Sequence, residues 1–289
     1  MTQALHSYDP QQLSTYLEHH VGGFSGLSEI AKFSDGQSNP TYRITDTAGR
    51  HFVLRAKPPG TLLKSAHAVD REFRVMTALA KSAVPVPQML HLSGEDSPLG
   101  AQFLVMEHLE GRVFWDPALP EHSPKFRQDA YHALVRTLAA LHDVDPQAVG
   151  LADFGKPGNY FSRQVSRWTG QYRACETQSR PDMDWTIDWL DRNMVQDDGQ
   201  IAIVHGDYRL DNVMFDAKTP DMIAVLDWEL STLGHPFADL AYQCMGLRLP
   251  QYGMITGLKG IDRTAQGLPE EADYVAQYCA LRGIAPPEN

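Results

Sequence analysis

The chain has 289 residues, 43% of them hydrophobic, and a formal net charge of −11. That length and apolar content suit one two-lobed enzyme or two small domains with buried cores, and they exclude a disordered chain. The acidic balance argues against a nucleic-acid partner, which calls for a basic patch to neutralise phosphates, though it is compatible with a nucleotide held by a metal and a few cations.

The first residues, Met1-Thr-Gln-Ala-Leu-His-Ser7, have neither the charged nor the apolar region of a secretion signal. No apolar run reaches the roughly eighteen residues of a membrane span. A soluble, cytoplasmic protein without a membrane partner is therefore expected. Cys175, Cys244 and Cys279 show no C-x-x-C spacing and are expected to be buried, inert thiols.

Residues 1–108 read as a small strand-rich lobe. Leu27 to Phe33, Thr41 to Thr45 and His51 to Arg55 carry alternating or β-branched patterns, with Thr47-Ala-Gly-Arg50 as the turn between the last two. The loop Ser34-Asp-Gly-Gln-Ser-Asn39 joins the first pair; its side chains, Ser38 and Asn39 among them, and its amides could cover phosphates, and a plain hairpin turn fits the same residues. From Ser65 the period becomes helical, with Ala66, Val69, Phe73, Met76 and Ala80 on one face. Val84-Pro-Val-Pro87 ends that helix, because proline breaks the ladder and restricts the residue before it. Gln102 to Met106 is a buried strand, and Glu107-His-Leu-Glu-Gly111 connects to the second part.

Residues 109–289 read as mostly helical. Arg127 to His142 repeats Ala130, Leu134, Leu138 and Leu141 at helical spacing. Gly150-Leu-Ala-Asp-Phe-Gly-Lys-Pro157 imitates a phosphate-binding loop but ends in Pro157 where the metal-binding Ser or Thr belongs, and no apolar strand precedes it. A helix from about Ser162 places Arg163 and Arg167 on one face, fit for an anionic group or simply for solvent. Asp182 to Met194 is amphipathic; its Asp182, Asp184, Asp188 and Asp191 are expected on a surface face, with Trp185 and Trp189 on a buried stripe. Helix resumes from Asp239.

Between these helices lies His205-Gly-Asp-Tyr-Arg-Leu-Asp-Asn212, followed fifteen residues later by Asp227 in Ala224-Val-Leu-Asp-Trp228. Val213-Met-Phe-Asp216 and Met222-Ile-Ala-Val-Leu226, joined by Ala217-Lys-Thr-Pro-Asp221, read as an antiparallel hairpin. With Asp216 opposite Ile223, Asn212 falls opposite Asp227. A carboxylate and an amide carbonyl side by side are hard ligands suited to Mg²⁺ shared with phosphates. Asp207 is then left to take a proton from an acceptor hydroxyl. This is the division of labour of the H-x-D-x-x-x-x-N catalytic loop of protein kinases.

The H-G-D opening, Leu-Asp-Trp in place of Asp-Phe-Gly, and Gly234-His-Pro-Phe-Ala-Asp-Leu-Ala241 resemble the aminoglycoside phosphotransferase and choline kinase superfamily. Phe33-Ser-Asp-Gly-Gln-Ser-Asn-Pro-Thr-Tyr42 and Gly155-Lys-Pro-Gly-Asn-Tyr-Phe-Ser-Arg-Gln-Val-Ser-Arg-Trp168 are similar to the branch associated with acyl-CoA dehydrogenases. The resemblance implies an α+β, protein kinase-like two-lobed fold, with a nucleotide lobe at 1–108 and a catalytic and substrate lobe at 109–289. It also implies ATP and Mg²⁺ as cofactors and a small-molecule acceptor.

Carried onto this chain, the resemblance makes Asp207 the base and Asn212 and Asp227 the metal ligands. Arg209 faces the transferred phosphate or is a surface arginine. Arg55 stands where the usual lysine would pair with Glu72, with Lys57 as the rival cation, and the backbone from Glu107 to Leu109 receives the purine. His205 and Asp239 are expected to brace the loop, Asp239 by capping its helix. Family members generally continue for further helices, whereas this chain stops at Ala285-Pro-Pro-Glu-Asn289, which implies a truncated acceptor wall. The implied acceptor is a hydroxyl on an acyl or acyl-CoA-type metabolite. An aminoglycoside acceptor and a nucleotide-binding module without turnover stand as alternatives.

Overall fold

A computed structural model describes residues 8–33, 39–58, 68–253 and 255–287. Ser38, a residue assigned above to the phosphate loop, lies outside the described residues. The first element among the described residues is a helix that periodicity had not singled out, α1 (Pro10–His20), whose N-terminus is set by Pro10 and by Asp9, the Asp9 carboxylate accepting from the amides of Gln11 and Gln12. An antiparallel sheet follows, built from β1 (Leu27–Lys32), β2 (Thr41–Asp46), β3 (His51–Ala56), β4 (Met89–Leu92) and β5 (Phe103–Glu107) in the order β1-β2-β3-β5-β4, with α2 (Val69–Leu79) between β3 and β4.

The two-residue period of the strands decides what each face does. Phe52 and Leu54 of β3 and Phe103 and Val105 of β5 join Leu13 and Leu17 of α1 in one core. Val53, Leu104 and Met106 point the other way and pack with Val69, Val75 and Met76 of α2 in a second core, which continues into the rest of the molecule. Arg55 shares the face of Val53 and is thereby aimed at α2.

The larger lobe begins with β6 (Gly111–Arg112) and α3 (Pro124–His142). Ala130, Leu134, Leu138 and Leu141 of α3 are all buried, as their spacing predicts, and the helix is packed by α8 (Glu271–Arg282). The intervening elements are α4 (Tyr160–Cys175), α5 (Pro181–Arg192), β7 (Ala202–Val204), β8 (Val213–Asp216), β9 (Met222–Val225), β10 (Thr232–Gly234), α6 (Phe237–Arg248) and α7 (Arg263–Gln266). β6, β8 and β9 form one small antiparallel sheet, and β7 pairs with β10. A five-stranded lobe followed by a helical lobe that carries the β8–β9 hairpin is the kinase-like α+β architecture. No helix among the described residues is long and apolar enough to cross a membrane.

Two expectations fail in this lobe. The apolar stripe of α5 is not buried: Trp185 is 66% and Trp189 49% exposed, and neither α4 nor α5 contains a buried residue. The two helices pack on each other, so the helical period that was read correctly marks a face with no core beneath it. Cys175, near the end of α4, is exposed, whereas Cys244 and Cys279 are buried.

Candidate active site

The turn after β7 carries His205, Gly206 and Asp207. His205 is fully buried; its Nδ1 accepts from the Asp207 amide at 3.2 Å and its Nε2–H donates to the Leu226 carbonyl at 2.7 Å, joining the turn to the end of β9. Gly206 has φ 86°, and a Cβ there would meet the Leu230 carbonyl oxygen at 2.8 Å, so the turn requires glycine.

Asp239 accepts from the amides of His205 at 2.6 Å and Gly206 at 2.8 Å. Burial alone would raise its carboxyl, but the His142 hydrogen bond and the charges and amide around it hold it below the ordinary value. His142 in turn meets Tyr278 Oη at 2.6 Å. Asp239 therefore braces the loop as expected but does not cap α6: it lies inside the first turn, behind Pro236 at the cap.

Asp207 is oriented by Asn212, whose Nδ2 donates to the Asp207 carbonyl at 2.9 Å and to Oδ2 at 2.8 Å. Pinning the nitrogen turns the amide oxygen of Asn212 the other way. Arg209 Nε lies 3.4 Å from Asp207 Oδ1, and its Nη2 lies 3.1 Å from Asp211 Oδ2.

The hairpin register differs from the expected one by two residues at the turn and by one at the open end. Val213 faces Val225, and the Leu226 amide donates to the Asn212 carbonyl at 2.8 Å, so Asn212 is opposite Leu226 and not Asp227. The Asp216 carboxylate takes the amides of Lys218 and Thr219 and tightens the turn, and an irregularity between Met214 and Phe215 recovers one of the two residues. Asp227, one residue beyond the ladder, adopts a left-handed conformation, φ 61° and ψ 58°, which re-aims its side chain across the lobes.

There Asp227 Oδ1 meets Arg55 Nη2 at 2.5 Å, while Arg55 Nε lies 3.0 Å from Glu72 Oε2. Of the two candidate cations, Arg55 is thus the one at Glu72; Lys57 pairs with Glu95 at 2.8 Å. Asn39 is buried and donates to Glu72 Oε1 at 2.9 Å, so its amide supports α2.

Glu229, which sequence reasoning missed, is a third carboxylate here: an oxygen from each of Glu72, Asp227 and Glu229 lies within 4.8 Å of the others. Its signal was present as the D-x-E spacing from Asp227. Three carboxylates are hard oxygen ligands of the kind a divalent cation such as Mg²⁺ takes, and Arg55 holds the charge between them. Tyr242 was also missed. It lies one helical turn beyond Asp239, half-buried, with its phenol beside Asp207; burial and that carboxylate push it up to about 12.

The connection between the lobes is locked at Glu107, whose amide donates to the Gln88 carbonyl at 3.0 Å and whose Oε1 accepts from the Gln88 amide at 2.7 Å. Leu109 follows, half-buried, and the His108 ring between them stacks on Phe33 at 6.5 Å. Arg163 and Arg167 do not gather into an anion site. Arg163 donates to the carbonyls of Lys156 at 2.6 Å and Pro157 at 3.4 Å, and Arg167 lies over Trp168.

Burial pushes the Glu72 carboxyl up to about 7 against the pull of Arg55, and Asp227 and Glu229 add to the rise. An acid whose folded value lies above its ordinary one stabilises the fold when protonated. That contribution is complete below its unfolded value and is lost as pH rises through about 7. The Tm of the metal-free protein should therefore fall between about pH 5 and about pH 8. Glu72→Gln, neutral throughout, should flatten the fall in a scanning-fluorimetry series; an equal slope in both proteins refutes the assignment.

The profile of the phosphotransferase enzyme family matches residues 29–276. Acyl-CoA dehydrogenase family member 10 of Mus musculus is 46% identical over 96% of this chain, which spans 26% of that protein's length. Among solved structures, a protein from Ralstonia eutropha JMP134, described provisionally as an aminoglycoside phosphotransferase, is 46% identical with a TM-score of 0.85, covering 96% of this chain and 81% of its own. The streptomycin–ATP ternary complex of APH(2'')-IIa shares the fold, with a TM-score of 0.60 at 17% identity, over 95% of this chain and 82% of that one.

Proposed function

The chain belongs to the phosphotransferase enzyme family, and from that premise we propose that it is a kinase of small molecules, transferring the γ-phosphate of ATP to a hydroxyl group of a cytoplasmic metabolite. Residues 1–108 hold the nucleotide and residues 109–289 hold the catalytic loop and acceptor. The observation that carries the reading is a pair of anchored carboxylates, Asp207 bonded by Asn212 and Asp227 bonded by Arg55. One carboxylate is held by Asn212 beside Arg209, and the other stands among oxygen ligands facing the nucleotide lobe.

In this reading Asp207 accepts the proton of the acceptor hydroxyl as its oxygen bonds to the γ-phosphorus and ADP departs. The Asn212 amide keeps the Asp207 carboxylate in one orientation throughout. Arg209 lies within reach of the equatorial oxygens, where a guanidinium matches their spread charge. Asn212, Asp227 and Glu229 would hold Mg²⁺, which when bound neutralises charge on the β- and γ-phosphates. Arg55, held by Glu72, is the phosphate clamp of the nucleotide lobe, and the Glu107–Leu109 backbone receives the purine.

The acceptor class is a hydroxylated acyl or acyl-CoA-type metabolite, supported by relatives named as acyl-CoA dehydrogenase family members in which this chain matches only part of the length. A polycationic aminoglycoside is less well served by α5, because Asp184 is paired with Arg173 at 2.5 Å and Asp188 with Arg192 at 3.6 Å. The test is incubation with ATP, Mg²⁺ and pools of hydroxyacids, their CoA thioesters and aminoglycosides, followed by ³¹P detection. A new phosphomonoester, matched by ADP, is expected from the acyl pool. Stabilisation by Mg·ADP with no phosphomonoester from any pool would mark a binding module and overturn the proposal.

A further inference from the structure

Arg71 lies beside Glu72 on α2, but its side chain leaves the nucleotide lobe. Its Nη2 donates to the Phe154 carbonyl at 2.8 Å and the Ser231 carbonyl at 3.2 Å, and its guanidinium lies 4.1 Å over the Phe154 ring. Both acceptor residues are buried, Phe154 at 1% and Ser231 at 3% exposure. Ser231 closes the turn that begins at Asp227 and carries Glu229; its amide and its hydroxyl both donate to the Trp228 carbonyl, at 3.0 and 2.6 Å. The turn is therefore held at both ends by adjacent residues of one helix: at Asp227 through Arg55 and Glu72, and at Ser231 through Arg71.

Phe154 makes the third corner of this arrangement. The next residue, Gly155, packs so closely on β10 that a Cβ would collide with Thr232 Oγ1 and meet the Leu233 amide nitrogen at 2.6 Å. Arg71 thus grips the two backbone segments that meet there, on a platform too tight to yield. A guanidinium suits the task because its planar fork can serve two carbonyls while its face covers a ring.

The geometry points to Arg71 as a positioning residue for the metal: it holds the Asp227–Ser231 turn against α2 and so sets the spacing of the Asp227, Glu229 and Glu72 carboxylates. This rests on the reading of Asp227 as a metal ligand. Neighbouring Arg74 supplies the control. One turn along the same helix, it donates to the Gly150 carbonyl at 2.9 Å, pairs with Asp153 and lies 5.8 Å over the Phe154 ring, while its hydrogen bonds leave the Asp227–Ser231 turn untouched.

The experiment is a Mg²⁺ titration of the thermal stabilisation given by saturating ADP, in the wild-type protein and in Arg71→Met, Arg71→Lys and Arg74→Met. Loss of an outer support of a metal site weakens metal affinity by about tenfold or more. The Mg²⁺ midpoint should rise by about that factor in Arg71→Met and by less in Arg71→Lys, which keeps a charge but not the fork. Arg74→Met should lower Tm and leave the midpoint in place. A midpoint unchanged in Arg71→Met, or moved equally in Arg74→Met, overturns the assignment while Asp227 stands as a ligand. ADP stabilisation independent of Mg²⁺ in the wild-type protein overturns both.

Discussion

Asp207→Asn should slow phosphoryl transfer steeply while leaving nucleotide binding intact. General-base assistance is worth roughly 10²- to 10⁴-fold in rate, and a drop of that size in kcat is expected once an acceptor is in hand. The substitution removes the charge that Arg209 and Tyr242 face but leaves the backbone of the turn in place. Asn212 Nδ2 donates to the backbone carbonyl of residue 207 as well as to its side chain, and the first of these bonds survives. The His205–Asp207 amide contact and the Asp239 brace involve main-chain donors and survive as well. Thermal stabilisation by Mg·ADP should therefore match that of the wild-type protein. Turnover at the wild-type rate in Asp207→Asn would remove Asp207 from the chemistry.

Legibility in the sequence followed the range of the contacts involved. The His205–Asn212 turn was readable because Asp207 and Asn212 are close in sequence and their spacing alone brings a carboxylate and an amide together. The Arg55–Glu72 pair came from the resemblance, with Lys57 left as a rival, and the contact of β3 with α2 decides between them.

The register error in the hairpin had a different origin. A turn tightened by the Asp216 carboxylate and an irregular pairing at Met214 and Phe215 leave no mark on apolar alternation. The exposed tryptophans of α5 show the limit of the helical period: it identifies the apolar face, but only a packed neighbour makes that face a core. Arg71 was invisible because its partners lie 83 and 160 residues away and are backbone carbonyls, which every residue possesses.

Asp227→Asn and Asp227→Ala should separate metal binding from folding. Losing a direct ligand should weaken Mg²⁺ at least as much as the 10- to 100-fold typical of losing an outer support. In both variants the Mg²⁺-dependent part of ADP stabilisation should vanish, and phosphoryl transfer should vanish with it. Their stabilities should differ. Residue 227 sits at φ 61° and ψ 58°, a conformation that Asn tolerates and that costs other L-residues about 1–2 kcal/mol.

In the asparagine variant Arg55 keeps Glu72 at 3.0 Å and Glu229 at 3.9 Å, and the carboxamide oxygen can still accept from Nη2. The metal-free asparagine variant should therefore unfold close to the wild-type temperature, with the alanine variant clearly below it. Since the left-handed turn is what carries Asp227 beyond the ladder and toward Arg55, the same backbone that makes alanine costly also makes this carboxylate available to a metal. Mg²⁺-dependent stabilisation surviving in Asp227→Asn would separate the two and transfer the metal to Glu229 and Glu72.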